Sequence, residues 1–73
     1  MPLSPLPYRE VARKLEAAGF VAIAQKGSHI KFVKYDGQGT RTVIVPRHRE
    51  VAVGTLRSIV RQARLTIDEF ESL

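Results

Sequence analysis

The stretch FVAIAQKGSHIKFVKYDGQGTRTVIVP, residues 20–46, decides the fold. Its apolar residues recur at every second position, the period of a strand whose two faces differ. Phe20 to Gln25 reads as a half-buried strand, Lys26-Gly27-Ser28 as a tight turn, and His29 to Lys34 as a second strand. Alternation puts Ile30 and Phe32 on one face of that second strand and His29, Lys31 and Val33 on the other. Asp36-Gly37-Gln38-Gly39 is a hairpin loop whose glycines can take positive φ. Arg41 to Val45 makes a third strand, which Pro46 ends because proline has no N–H to give a ladder. Strands this closely spaced must form an antiparallel meander, since parallel neighbours need long crossovers.

Outside this block the period changes to that of a helix. Tyr8, Val11, Ala12, Leu15 and Ala18 form an amphipathic stripe, with Arg9, Arg13 and Glu16 on the wet side and Gly19 able to supply a left-handed stop. After an expected loop from Arg47 to Val53, Leu56, Ile59, Val60 and Ala63 give a second inward stripe, while Arg57, Arg61 and Arg64 share another face. Thr66-Ile67-Asp68-Glu69 has the capping-box pattern, so a short last helix should fold Phe70 back on the core. Pro2, Pro5 and Pro7 keep residues 1–7 out of the helix, and this segment is read as a flexible Pro-rich N-terminus before a single domain over 8–73. The expected fold is therefore α+β, ordered α-β-β-β-α. Two helices cover one face of a three-stranded antiparallel sheet, and the other face stays wet.

Seventy-three residues allow one domain and a modest core. The absence of cysteine removes disulfides, thiolate metal sites and cysteine nucleophiles together, which suits a reducing compartment, and the cytoplasm is expected. No apolar run approaches the roughly 20 residues of a membrane span. The net charge is +5, and it is unevenly spread. From Lys26 to Arg64 nine basic residues face two acidic ones, a local balance of +7, while Asp68, Glu69 and Glu71 gather at the end. Such a stretch is the electrostatic footprint of a polyanion binder, RNA above all.

Lys26-Gly27-Ser28-His29 is the most suggestive tetrapeptide. A Gly-Ser turn brings backbone N–H groups close to a bound anion, and the next residue aims an imidazole at the same place. Histidine can give or take a proton near neutral pH. The same spacing also fits a plain hairpin carrying a surface histidine. His48, in Pro46-Arg47-His48-Arg49, is the second histidine, and His48, Lys26 or Lys31 could supply a second acid or base. His48 also reads as a solvated loop residue. Lys31, Lys34 and Arg41 on the strands, with Arg57 and Arg61 on the helix, could line a phosphate-binding groove, or the arginines could simply solvate their helix. Two histidines without cysteines or paired carboxylates make a poor metal site, so no metal and no cofactor is expected.

Gly19-Phe20, Gln25-Lys26-Gly27-Ser28-His29, Val45-Pro46-Arg47-His48 and Gly54-Thr55-Leu56-Arg57-Ser58-Ile59-Val60-Arg61-Gln62-Ala63 together resemble the HicA-type mRNA interferase toxins, in order and over nearly the whole chain. The resemblance implies a double-stranded-RNA-binding-like fold, metal-independent endoribonuclease cleavage of mRNA that inhibits translation, and silencing by a HicB-type antitoxin. It places the family's catalytic histidine on His29, as general acid/base. Lys26, Gly27, Ser28, Lys31, Lys34, Arg41, His48, Arg57 and Arg61 are the residues expected to hold RNA. Two positions depart from the family pattern: Ile30 follows His29 where a second histidine is often found, and Arg64 stands where a glycine is common. The competing reading is a non-catalytic RNA-binding module. A DNA-binding regulator fits less well, because both main helices need an apolar face for the sheet.

Overall fold

The computed structural model describes residues 3–73. The elements follow the order α1 (Tyr8–Ala17), β1 (Val21–Lys26), β2 (His29–Asp36), β3 (Gly39–Pro46), α2 (Val53–Gln62) and α3 (Ile67–Glu71). The strands form one antiparallel sheet in the spatial order β1-β2-β3, the meander expected from the short connections. The fold is thus α+β with α-β-β-β-α order and a short C-terminal helix.

Parity along the strands decides what each face carries. Ile30 and Phe32 of β2, with Val43 and Val45 of β3, are buried with Val11 and Leu15 of α1, Leu56, Ile59 and Val60 of α2, and Phe70 of α3. Burying a side chain of this size contributes about 1.5–3 kcal/mol, so these residues carry most of the drive to fold. Thr66 caps α3 as expected: its hydroxyl accepts from the Glu69 N–H at 3.0 Å, and the Glu69 carboxylate accepts from the Thr66 N–H at 2.7 Å.

Helices α1 and α2 stop in the same way. The Phe20 N–H reaches the Leu15 carbonyl and the Gly19 N–H that of Glu16; likewise Leu65 reaches Val60 and Arg64 reaches Arg61. Both are Schellman motifs, which require a left-handed residue just past the helix. Gly19 takes that place at φ 97° and Arg64 at φ 58°. Arg64 therefore ends α2 as Gly19 ends α1, in a left-handed conformation.

Three expectations are corrected. The strand read as half-buried over 20–25 is exposed at all six of its positions, Val21–Lys26, because it lies at the sheet edge and the helices pack elsewhere. Phe20, just before it, supplies the burial. A register shift between Ala22 and Ala24 makes a bulge at Ile23, which explains why simple alternation fails there. The face opposite the helices is not uniformly wet either: Val33, flanked by Val21 and Thr42, is buried, as is Pro46 beside His29. Finally, the segment expected to be flexible over 1–7 is held at Leu6, which exchanges two main-chain hydrogen bonds with Val51 at 3.1 and 2.6 Å. Leu3 and Leu6 pack on the core, and Pro7 forms the N-cap of α1; Met1 and Pro2 lie outside the described residues.

Candidate functional site

The turn between β1 and β2 is built by two local devices. Gly27 sits at φ 58°, a left-handed conformation that side chains disfavour, and the Gln25 amide donates to the Gly27 carbonyl at 3.1 Å. A Cβ built on Gly27 would meet nothing within 4 Å, so the glycine serves the backbone angle and leaves the turn open to an approaching group. His29 starts β2 directly after this turn. It is exposed, with Lys26 as its register partner on β1 and Pro46 on β3.

The next row on the same face is Ala24, Lys31 and Ile44. Together Ala24, Lys26, His29, Lys31 and Ile44 line an open depression of about 420 Å³, its surface almost entirely carbon. The sequence pointed to Lys26, Gly27, Ser28, His29 and Lys31, and the fold gathers all five at this end of the sheet. Ala24 and Ile44 were not anticipated. Their strand parity, matched through the hairpin register, is the signal that could have found them.

The second histidine is close in topology. The Arg47 N–H donates to the Ser28 carbonyl, so the segment bearing His48 leaves the sheet beside the Gly-Ser turn. His48 is exposed there.

Lys34 and Arg41 lie elsewhere. Lys34 shares the helix side of β2 with Ile30 and Phe32, and its stem lies over Gly19, where an added Cβ would come within 3.2 Å of Lys34 Cε. Arg41, opposite Lys34, pairs with Asp36 at 3.0 Å and donates to the Ala63 carbonyl at 3.3 Å, and its Nε is buried without an acceptor among the described residues. This guanidinium ties the second hairpin to the end of α2. Arg57 and Arg61 are exposed on α2. The groove expected from Lys31, Lys34, Arg41, Arg57 and Arg61 is thus divided between faces: Lys31 stands with His29, and Lys34 and Arg41 stand behind the sheet.

Among the described residues no group of three His, Cys, Asp or Glu side chains is placed to hold a metal ion, and no helix is long and apolar enough to cross a membrane.

The chain is thus a small α+β domain that carries an exposed histidine and two lysines on an open sheet face beside the left-handed Gly27. The chain belongs to the HicA toxin family: the family model for the HicA toxin of bacterial toxin–antitoxin systems matches residues 8–65. It is a toxin of such a system, and membership implies an antitoxin partner. Comparison with curated proteins gives no match for the chain.

Proposed function

We propose that this toxin is a metal-independent endoribonuclease that cleaves mRNA and so inhibits translation, with His29 as the general acid/base. The observation that carries the proposal is the placement of His29: exposed, beside Lys26, and one residue past a turn whose backbone is open. In this reading the His29 imidazole takes the proton of a ribose 2′-OH. The freed oxygen attacks the adjacent phosphorus, and the bond to the 5′-oxygen breaks; that oxygen takes a proton from solvent, so one fragment ends in a 2′,3′-cyclic phosphate and the other in a 5′-hydroxyl. Lys26 and the main-chain N–H groups around Gly27 and Ser28 offset the charge that builds on the phosphorane. Lys31 and His48 hold the neighbouring strand in this reading, and Arg57 and Arg61 add longer-range attraction. DNA lacks the attacking hydroxyl, so it binds without being cut.

The partner proposed for silencing is a HicB-type antitoxin that carries acidic residues over this basic face. Complementary charge speeds its association and excludes RNA in the same step. Binding also raises the melting temperature of the toxin by mass action.

The test is cleavage of RNA by the purified chain with EDTA present, against His29→Ala. Cutting by the parent and none by the alanine variant, with both folded by circular dichroism, is the expected result. RNA binding without cutting by the parent would replace this reading with a non-catalytic RNA-binding module.

A further inference from the structure

The depression beside His29 has a composition that phosphate binding alone does not require. A phosphate site needs donors, whereas here Ala24 and Ile44 stand on either side of Lys31, and little polar surface reaches the lining. Ile44 is 40% exposed although its strand neighbours Val43 and Val45 are fully buried. Its backbone is fixed, because the Ile44 N–H donates to Gln62 Oε1 at 2.9 Å, and strand parity turns its side chain to the open face. Ala24 bears the shortest side chain of the lining, so it sets the depth. No acidic residue is among the lining residues, whereas Lys26 and Lys31 are, so their apolar stems form the wall and their charges stand at its edge.

An apolar recess edged by cations suits a flat, uncharged ring carried on an anionic chain. Bases stack on aliphatic and imidazole surfaces as well as on aromatic ones, while their phosphates seek lysines. An acidic peptide with an apolar anchor would match the charge too. It would not, however, need the recess to adjoin an imidazole placed for proton transfer.

We infer that the depression holds the face of one unstacked base of single-stranded RNA, with the flanking phosphates on Lys26 and Lys31. Ala24 and Ile44 are then specificity-determining residues: they decide which segments of a strand present a phosphate to His29. This inference rests on RNA being the ligand of the proposed function, yet it does not need the strand to be cut.

The experiment measures fluorescence anisotropy of a single-stranded 2′-O-methyl oligoribonucleotide, which cannot be cleaved through a 2′-hydroxyl, against an abasic strand of equal length. The parent protein is expected to bind the base-bearing strand about tenfold more tightly, near the low end of what stacking one base contributes. Ala24→Leu fills the recess and should abolish that preference while keeping affinity for the abasic strand. Ile44→Ala, which removes one wall, should reduce the preference and serves if the leucine variant does not fold. Equal binding of both strands by the parent, binding of neither, or full preference retained in the folded variants would each overturn the inference. A preference that is present in a protein unable to cut unmodified RNA would leave the recess assigned and sink the nuclease reading instead.

Discussion

The Lys14 ammonium lies 5.4 Å from the centre of the Phe70 ring and 3.2 Å from that residue's own carbonyl oxygen. The same group donates to the main-chain oxygens of Glu71 and Leu73, each at 3.2 Å. A lysine on α1, only 8% exposed, therefore sets its charge against three main-chain oxygens at the C-terminal end of α3.

Lys14→Ala should lower the unfolding free energy by about 2–3 kcal/mol, since hydrogen bonds to a charged group are worth more than neutral ones. Lys14→Met keeps the apolar stem and should lose less. Urea denaturation at neutral pH measures both. A midpoint unchanged in the alanine variant would show that the α1–α3 tie adds nothing.

Arg64 holds the left-handed conformation that Gly19 holds one motif earlier, and a side chain pays about 1 kcal/mol there that glycine does not. Arg64→Gly should accordingly raise the melting temperature by a few degrees. Gly19→Ala should lower it, by strain and by pushing Lys34 aside. Thermal melts of the two variants in opposite directions are the expected outcome, and a destabilised Arg64→Gly would argue that the arginine side chain, rather than its backbone, matters.

Acid should weaken the C-terminal helix and the second hairpin. Accepting from the Thr66 N–H holds the Glu69 carboxyl below its ordinary value of 4.5, and accepting from the Gln38 N–H holds Asp36 below 3.8. Carboxyls lowered in the folded state stabilise it above their unfolded pKa, and that contribution is lost as pH falls through the folded values. Stability should thus decline below about pH 4.5. Glu69→Gln should flatten the decline, read as unfolding free energy against pH. An equal slope in parent and variant would place the acid sensitivity elsewhere.

Affinity for single-stranded RNA should fall with salt at a log–log slope of about 0.7 per phosphate contact. Lys26→Ala and Lys31→Ala should each reduce that slope by one contact. Arg41→Ala should leave it nearly unchanged and cost stability instead, because its guanidinium already serves Asp36 and Ala63. Titrations at several salt concentrations, paired with melts, separate the two effects. A slope reduced by Arg41→Ala alone would move the RNA path behind the sheet.

Much of this was legible in the sequence because it is local. The Gly19 stop, the Thr66–Glu69 capping box and the hairpins at residues 27–28 and 37–38 each depend on neighbours within a few positions. What depends on distant partners was not. Lys14 falls three residues after Val11, on the apolar stripe, but a lysine reads as solvated until the carbonyls near Phe70 arrive from the far end of the chain. Leu6 was hidden among prolines, and Val51 inside an expected loop; each explains the other only once they pair. For Lys34 and Arg41 the signal was present and charge outweighed it. They share parity with Phe32 and with Val43, so alternation alone sends them to the helix side. The Gly-Ser-His turn was evident from its residues, whereas the recess next to it needed three strands in register.

The two borders of the sheet are unlike. Along β3, the Ile44 N–H is taken by Gln62, Pro46 has none to offer, and α2 packs alongside. Along β1, no further strand among the described residues is hydrogen-bonded outside Val21–Lys26, where Val21 and Ile23 are well exposed. Strand-on-strand growth is therefore better served along β1 than along the half of β3 that holds Ile44 and Pro46. Two such molecules joined through β1 would use up that border of each, so growth along β1 ends at a pair.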